Sequence, residues 1–133
     1  MRYIEVGIDG SGRSTVLGET PLDGGSAKLY SASEASLSER PATLPVFDAG
    51  CAPGSSVWKL WEAAPGMVAG LHRTDTIDYD AVLSGDLVLV LDDGEVDLHT
   101  GDCVVLPGVM HGWRVGPNGS RVSVIQIGLE PVG

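Results

Sequence analysis

The sequence predicts an all-β fold, and three observations carry that expectation. Its apolar residues come in short runs rich in Val and Leu, each too brief for a helix and bounded by turn-forming residues. Nineteen glycines in 133 residues, about twice the usual frequency, together with eight prolines, interrupt any long helix. The turn signals recur at short, regular intervals, the pattern of an antiparallel sandwich or barrel.

Taken in order, Tyr3 to Ile8 alternates as a strand does, and Ser14 to Leu17 is placed to pair with it. Between them, Gly7-Ile8-Asp9-Gly10-Ser11-Gly12-Arg13-Ser14 resembles a phosphate-binding loop with Arg13 in the lysine position. That loop works only if a helix follows at once, with its N-terminal amides turned to the phosphate. Thr15, Val16, Gly18 and Pro21 do not make one, so a hairpin turn is expected. Ser31 to Arg40 reads as a short helix or an exposed loop, and Ala49 to Ser55 as a loop. Strands are expected over Val57 to Trp61, Ala81 to Leu83, Leu87 to Leu91, Val96 to Leu98, Cys103 to Leu106 and Val122 to Leu129. The turns between them fall at Pro65-Gly66, Ser84-Gly85, Asp92-Asp93-Gly94, Thr100-Gly101-Asp102 and Pro117-Asn118-Gly119. Asp93-Gly94 is the sharpest, because glycine tolerates the positive φ of a tight hairpin. With no repeat and no long linker, one domain spans 1–133, its core about 57–129.

Charge narrows the function. Eighteen acidic residues against eight basic ones give a formal charge of −10, which disfavours nucleic acid and anionic membranes, since both are bound through Lys and Arg. The first thirty residues lack a basic stretch followed by an apolar one. The longest apolar run, Leu87 to Leu91, is far short of a membrane span. Cys51 and Cys103 cannot make a disulfide framework. A cytoplasmic protein with a small-molecule partner is the expectation.

The candidate chemistry gathers around histidine. His72 opens the polar cluster His72-Arg73-Thr74-Asp75-Thr76-Ile77-Asp78-Tyr79-Asp80, and His111 follows three turn signals later. Period-two alternation puts His111 and Trp113 on one face, and Asp78, Asp80 and Val82 on another. If both faces line one cavity, His72, Asp78 and His111 form a two-histidine, one-carboxylate site suited to iron(II), manganese, nickel or zinc. The plainer alternatives are hydrogen-bonded structural histidines and a solvated strand edge bearing Asp75, Asp78 and Asp80. His99, at a turn, is expected to be exposed and without function. Cys103 reads as a small buried hydrophobe and Cys51 as inert.

Gly66 to Trp113 resembles the two motifs of the cupin superfamily. Gly66, His72, Asp78 and Gly85 fall at the first motif's places, with Thr74 where a second histidine stands and Asp78 where a glutamate does. Gly101-Asp102-Cys103-Val104-Val105-Leu106-Pro107, with Gly108 and His111, approximates the second. His72-Arg73-Thr74-Asp75-Thr76-Ile77-Asp78-Tyr79 with Val82-Leu83-Ser84-Gly85 and His111-Gly112-Trp113 is similar to a subgroup of small cupins found near polyketide and other secondary-metabolite pathways. The resemblance implies a jelly-roll β-barrel with an N-terminal strand extension, usually a homodimer. It further implies a divalent metal (Mn, Fe, Ni or Zn) on His72, Asp78 and His111, with Thr74 orienting a ligand or holding water.

The leading expectation is an enzyme acting as a lyase or isomerase, by dehydration, decarboxylation or cyclisation, on an organic acid or polyketide-like carbonyl compound. A metal would stabilise the enolate. Asp80 or Tyr79 would move the proton; alternation lets only one face the cavity, and Asp80 is preferred. Trp113, Val82 and Leu106 would supply the apolar wall. An iron-dependent dioxygenase and a non-catalytic small-molecule-binding barrel are the alternatives.

Overall fold

The computed structural model describes residues 1–32 and 47–131. Eight strands follow in chain order: β1 (Arg2–Ile8), β2 (Ser14–Pro21), β3 (Ser56–Ala63), β4 (Val68–His72), β5 (Thr76–Val90), β6 (Glu95–Leu98), β7 (Cys103–Pro107) and β8 (His111–Gly128). The expected helix or loop from Ser31 to Arg40 lies, from residue 33 onward, outside the described residues. The Asp9 hairpin forms as expected, with Asp9 Oδ1 accepting from the amides of Ser11 and Arg13 at 2.8 and 3.1 Å. No helix among the described residues is long and apolar enough to cross a membrane.

Two long strands make the frame. β5 and β8 pair antiparallel from Thr76↔Gly128 to Val90↔Gly112, and each changes its other neighbour halfway. β5 takes β7 through Ile77–Ala81 and β6 through Leu87–Val90. β8 takes β3 through Ser120–Ile127 and β4 through its first residues. Strands that switch partners at a bend turn a sheet into a barrel with corners. The result is a jelly roll, with the main sheet ordered β2-β1-β7-β5-β8-β3.

The corner falls where sequence reading expects turns. Ser84-Gly85 and Pro117-Asn118-Gly119 lie inside β5 and β8, not between strands. The β5–β8 register shifts on both sides of this point, between Val82 and Ser84 and between Gly85 and Leu87. Gly85 has φ 79°, and a Cβ there would lie 2.2 Å from the carbonyl oxygen of Gly119. A glycine in a strand serves a bulge or close backbone approach as readily as a turn, so composition alone cannot separate the two.

One end of the barrel is filled. Ile4, Val82, Leu87, Leu89, Leu98, Leu106, Val122 and their neighbours form the main core, with Trp113 and Val124 at its border. A second cluster of Tyr3, Ile77 and Val105 lies on the outer face, with Tyr30, Tyr79 and Cys103 packed against it. Beyond it the same face exposes Trp58, Leu60, Leu83, Ile125 and Ile127.

β1 joins the sheet by running parallel to β7, with Tyr3 opposite Cys103. Asp102 fastens it. Its Oδ1 accepts from the Arg2 amide at 2.9 Å, and its Oδ2 accepts from the His99 amide at 2.9 Å and Arg2 Nη2 at 3.1 Å. Burial pushes this carboxyl up, but the bonds from His99 and Arg2 outweigh it and hold the carboxyl below its ordinary value. A depressed folded-state value contributes stability above the unfolded value of about 4, and that contribution is lost as pH falls through the folded value. Asp102→Ala is therefore expected to cost about 3 kcal/mol at neutral pH. The gap to the parent should narrow below about pH 4. Urea unfolding at both pH values checks this, and an unchanged gap at pH 3 would contradict it.

Candidate functional site

The unfilled end of the barrel is a cavity of about 490 Å³. Strand alternation builds its floor in rows. Asp78 on β5 lies opposite Gln126 on β8, and Gln126 lies opposite Val57 on β3. One step along, Asp80, Val124 and Lys59 form the next row. On the opposite wall His72 on β4 pairs directly with His111 on β8.

The two imidazoles stand 4.6 Å apart, centroid to centroid. The Nδ1–H of each donates to a backbone carbonyl, His72 to Gly70 at 2.8 Å and His111 to Val109 at 2.9 Å. This fixes the tautomer and leaves each Nε2 for other contacts. Burial lowers the His111 pKa to about 4, with the Val109 bond opposing and His72 adding to the shift, so this ring is neutral at physiological pH. Aromatic rings continue the wall: Phe47 lies against His72 at 5.9 Å, Trp113 against His111 at 5.9 Å, and Trp61 against Trp113 at 5.5 Å.

Asp78 is already bonded. Its Oδ1 accepts from the Thr76 hydroxyl at 2.6 Å, and Gln126 Nε2 reaches both oxygens at 3.3 Å. Since the only hydroxyl hydrogen of Thr76 goes to Asp78, Thr74 must donate in the 2.7 Å contact between the two threonines. Thr74 thus starts a hydrogen-bonded line that ends at Asp78, and its hydroxyl holds Thr76, not an imidazole. Burial raises the Asp78 pKa against the bonds from Thr76 and Gln126.

Asp80 is different. It is 5 % exposed, its Oδ1 is sealed from solvent, and that oxygen has no hydrogen-bond partner. Burial first and the neighbouring Asp78 second push its carboxyl well above the ordinary range, with the charge of Lys59 opposing. Gln126 Oε1 is the other buried, unpartnered oxygen at this cavity.

Of the residues expected at the site, the cavity brings together His72, Thr74, Asp78, Asp80, His111 and Trp113. It does not include Tyr79, whose side chain alternates to the outer face beside Tyr30, ring centroids 6.2 Å apart. Val82 and Leu106 belong to the filled end of the barrel and do not line the cavity. Lys59, Trp61, Thr76 and Gln126 were not expected. A signal existed for three of them: Val57, Lys59 and Trp61 alternate along β3, and Gln126 is the polar member of the Val122, Val124, Gln126 face. His99 is exposed, as expected, with Nδ1 2.8 Å from Asp86 Oδ1.

The expected three-ligand metal centre is not assembled among the described residues. Among the described residues no three His, Cys, Asp or Glu side chains come close enough together to hold a metal ion. His72 and His111 offer two nitrogen donors, but Thr74 replaces the third histidine and Asp78 is held by Thr76 and Gln126.

No family profile matches the chain. A solved structure of a Rhizobium leguminosarum protein of unknown function is similar, with a TM-score of 0.52 and 22% identity over 56% of this chain and 72% of that one. It shares the fold. In sequence, the Cupin-domain-containing oxidoreductase virC of Hypocrea virens is 34% identical over 60 residues, 44% of this chain and 31% of that protein. The fold is a cupin barrel. Phomopsin biosynthesis cluster protein C' of Diaporthe leptostromiformis is 46% identical over 63 residues, 47% of this chain and 33% of that protein. The match thus spans about a third of the length of these curated relatives.

Proposed function

We propose that this cupin is a small-molecule enzyme that transfers protons at a carbon beside a carbonyl group, the step shared by dehydration, decarboxylation, isomerisation and cyclisation of carbonyl compounds. The observation that carries the reading is the Asp80 carboxyl. A buried oxygen without a partner costs about 1–3 kcal/mol, and such unsatisfied, burial-shifted carboxyls concentrate at functional sites. With Oδ1 sealed, Oδ2 is the oxygen available to a molecule in the cavity. Asp80 gives its proton to the carbonyl oxygen while an imidazole Nε2 of the His72–His111 pair takes the carbon proton; the enol forms, and reversal at another atom completes the reaction without redox change. The aromatic wall of Trp61 and Trp113 holds the apolar part of the substrate.

The relatives named for phomopsin biosynthesis support placing the substrate in secondary metabolism. The test is deuterium uptake at the benzylic carbon of phenylpyruvate in heavy water, followed by proton NMR. Uptake above buffer that depends on Asp80 supports the reading, and uptake no faster than buffer removes it. The oxidoreductase name of the Hypocrea virens relative favours a redox alternative, for which oxygen consumption with added iron(II) is the replacing result. A melting temperature raised by manganese, iron(II), nickel or zinc in the parent but not in His111→Ala would add a metal to the site.

The homodimer is likewise proposed, supported by the exposed apolar strip of Trp58, Leu60 and Ile125. A light-scattering mass of one chain would remove it.

A further inference from the structure

The cavity floor carries a charge that the proton-transfer reading does not use. Among the described residues that line the cavity, Lys59 is the one ammonium or guanidinium group. It makes no contact ion pair or hydrogen bond among the described residues, but its charge reaches Asp78 and Asp80 across the floor and opposes the rise that burial gives both carboxyls. The carboxylate nearest in kind, Asp78, is already served by Thr76 and Gln126. Lys59 is also in register with the reacting carboxyl. It pairs with Val124 on β8, and Val124 pairs with Asp80 on β5. Two inter-strand steps put the two backbones about 10 Å apart, and both side chains face the same space across the short Val124.

A chain with a formal charge of −10 repels small anions over most of its surface. The Lys59 ammonium, exposed at the edge of an apolar-walled cavity, reverses that locally by setting a positive charge where an anion would enter. The same row therefore offers a cation at one end and a proton-transferring carboxyl at the other, with aromatic rings alongside. A small organic acid spans it, its carboxylate on one residue and its carbonyl near the other.

We propose that Lys59 anchors the substrate's carboxylate, so that the cavity selects small organic anions with an apolar body over their neutral counterparts. The inference rests on the reading of the barrel as a small-molecule site and names the substrate class for it. Lys59 is a positioning residue: it touches the substrate but not the reacting atoms.

The experiment is titration calorimetry with 3-phenyllactate and its amide, an isosteric pair that differs in charge and does not enolise. The parent protein is expected to bind the acid at least about tenfold more tightly than the amide, with the preference shrinking as salt rises. Lys59→Gln should erase the preference while leaving amide binding within about twofold, and Lys59→Arg should keep it. Lys59 is exposed on β3, so neither change disturbs the fold, and a circular dichroism spectrum confirms that. Equal binding of acid and amide, a preference that survives Lys59→Gln, or no binding of either probe overturns the inference. Because binding is read without turnover, Asp80-dependent exchange that persists after such a result leaves the proton-transfer reading standing.

Discussion

Asp80→Asn is expected to slow the catalysed deuterium uptake of phenylpyruvate by about a thousandfold, the middle of the range for loss of a general acid. Asparagine keeps the shape of the side chain and removes the proton that can be transferred. It also removes a buried ionisable group next to Asp78, so the melting temperature should hold or rise. That combination separates a catalytic role from a structural one, since a mutation that merely damages the barrel lowers both. Asp78→Asn should have a smaller effect, because its side-chain oxygen can still accept from Thr76. Tyr79→Phe, altered on the outer face, should leave the rate unchanged. Exchange that survives Asp80→Asn, or fails equally in Tyr79→Phe, would sink the assignment.

Gly85→Ala is the change expected to damage the fold most. The added Cβ would press to 2.2 Å from Gly119 O and 2.9 Å from the Cα of Ser120, both backbone, with φ at 79°. Neither β5 nor β8 can yield there without opening the corner. A cost of about 3–5 kcal/mol follows from the clash and the left-handed backbone together. Gly66→Ala provides the comparison. That residue has φ 72° but nothing within 4 Å of its Cβ, so only the backbone cost of about 1 kcal/mol applies. Chemical denaturation of the two variants measures the difference, and equal losses would show that the close approach of β5 to β8 contributes nothing.

The sequence made the strand class legible because period-two patterning and turn residues report on each strand separately. It could not show that Ala81–Leu83 and Leu87–Leu91 are one bent strand, since glycine at Gly85 looks the same in a turn and in a corner. β4 escaped notice for a related reason: Val68-Ala69-Gly70-Leu71-His72 contains a glycine and little β-branching, and pairing with β8 makes it a strand. At the site, His72, Asp78, Asp80, His111 and Trp113 could be gathered from motif spacing and alternation. Alternation sets Lys59 with Trp61 and Gln126 with Val124 on faces of their own strands, but whether those faces reach the site depends on which strand lies beside which. Gln126 matters only because β8 sets it opposite Asp78, and Lys59 only because β3 follows β8. The wall residues Val82 and Leu106 show the same limit. Facing inward was correctly inferable for both, but the inside of this barrel is half core and half cavity.

The parallel seat of β1 beside β7 bears on how the chain is made. Arg2 finds Asp102 a hundred positions later, so the first strand cannot dock until the ribosome has passed Pro107. At ~5–20 residues per second, the β1–β2 ribbon waits about 5–20 s with Ile4 and Val6 uncovered, and a lone two-stranded ribbon is marginal in water. Nascent chains stalled before and after that point should therefore differ in protease resistance at β1, with barrel closure as the last act of maturation.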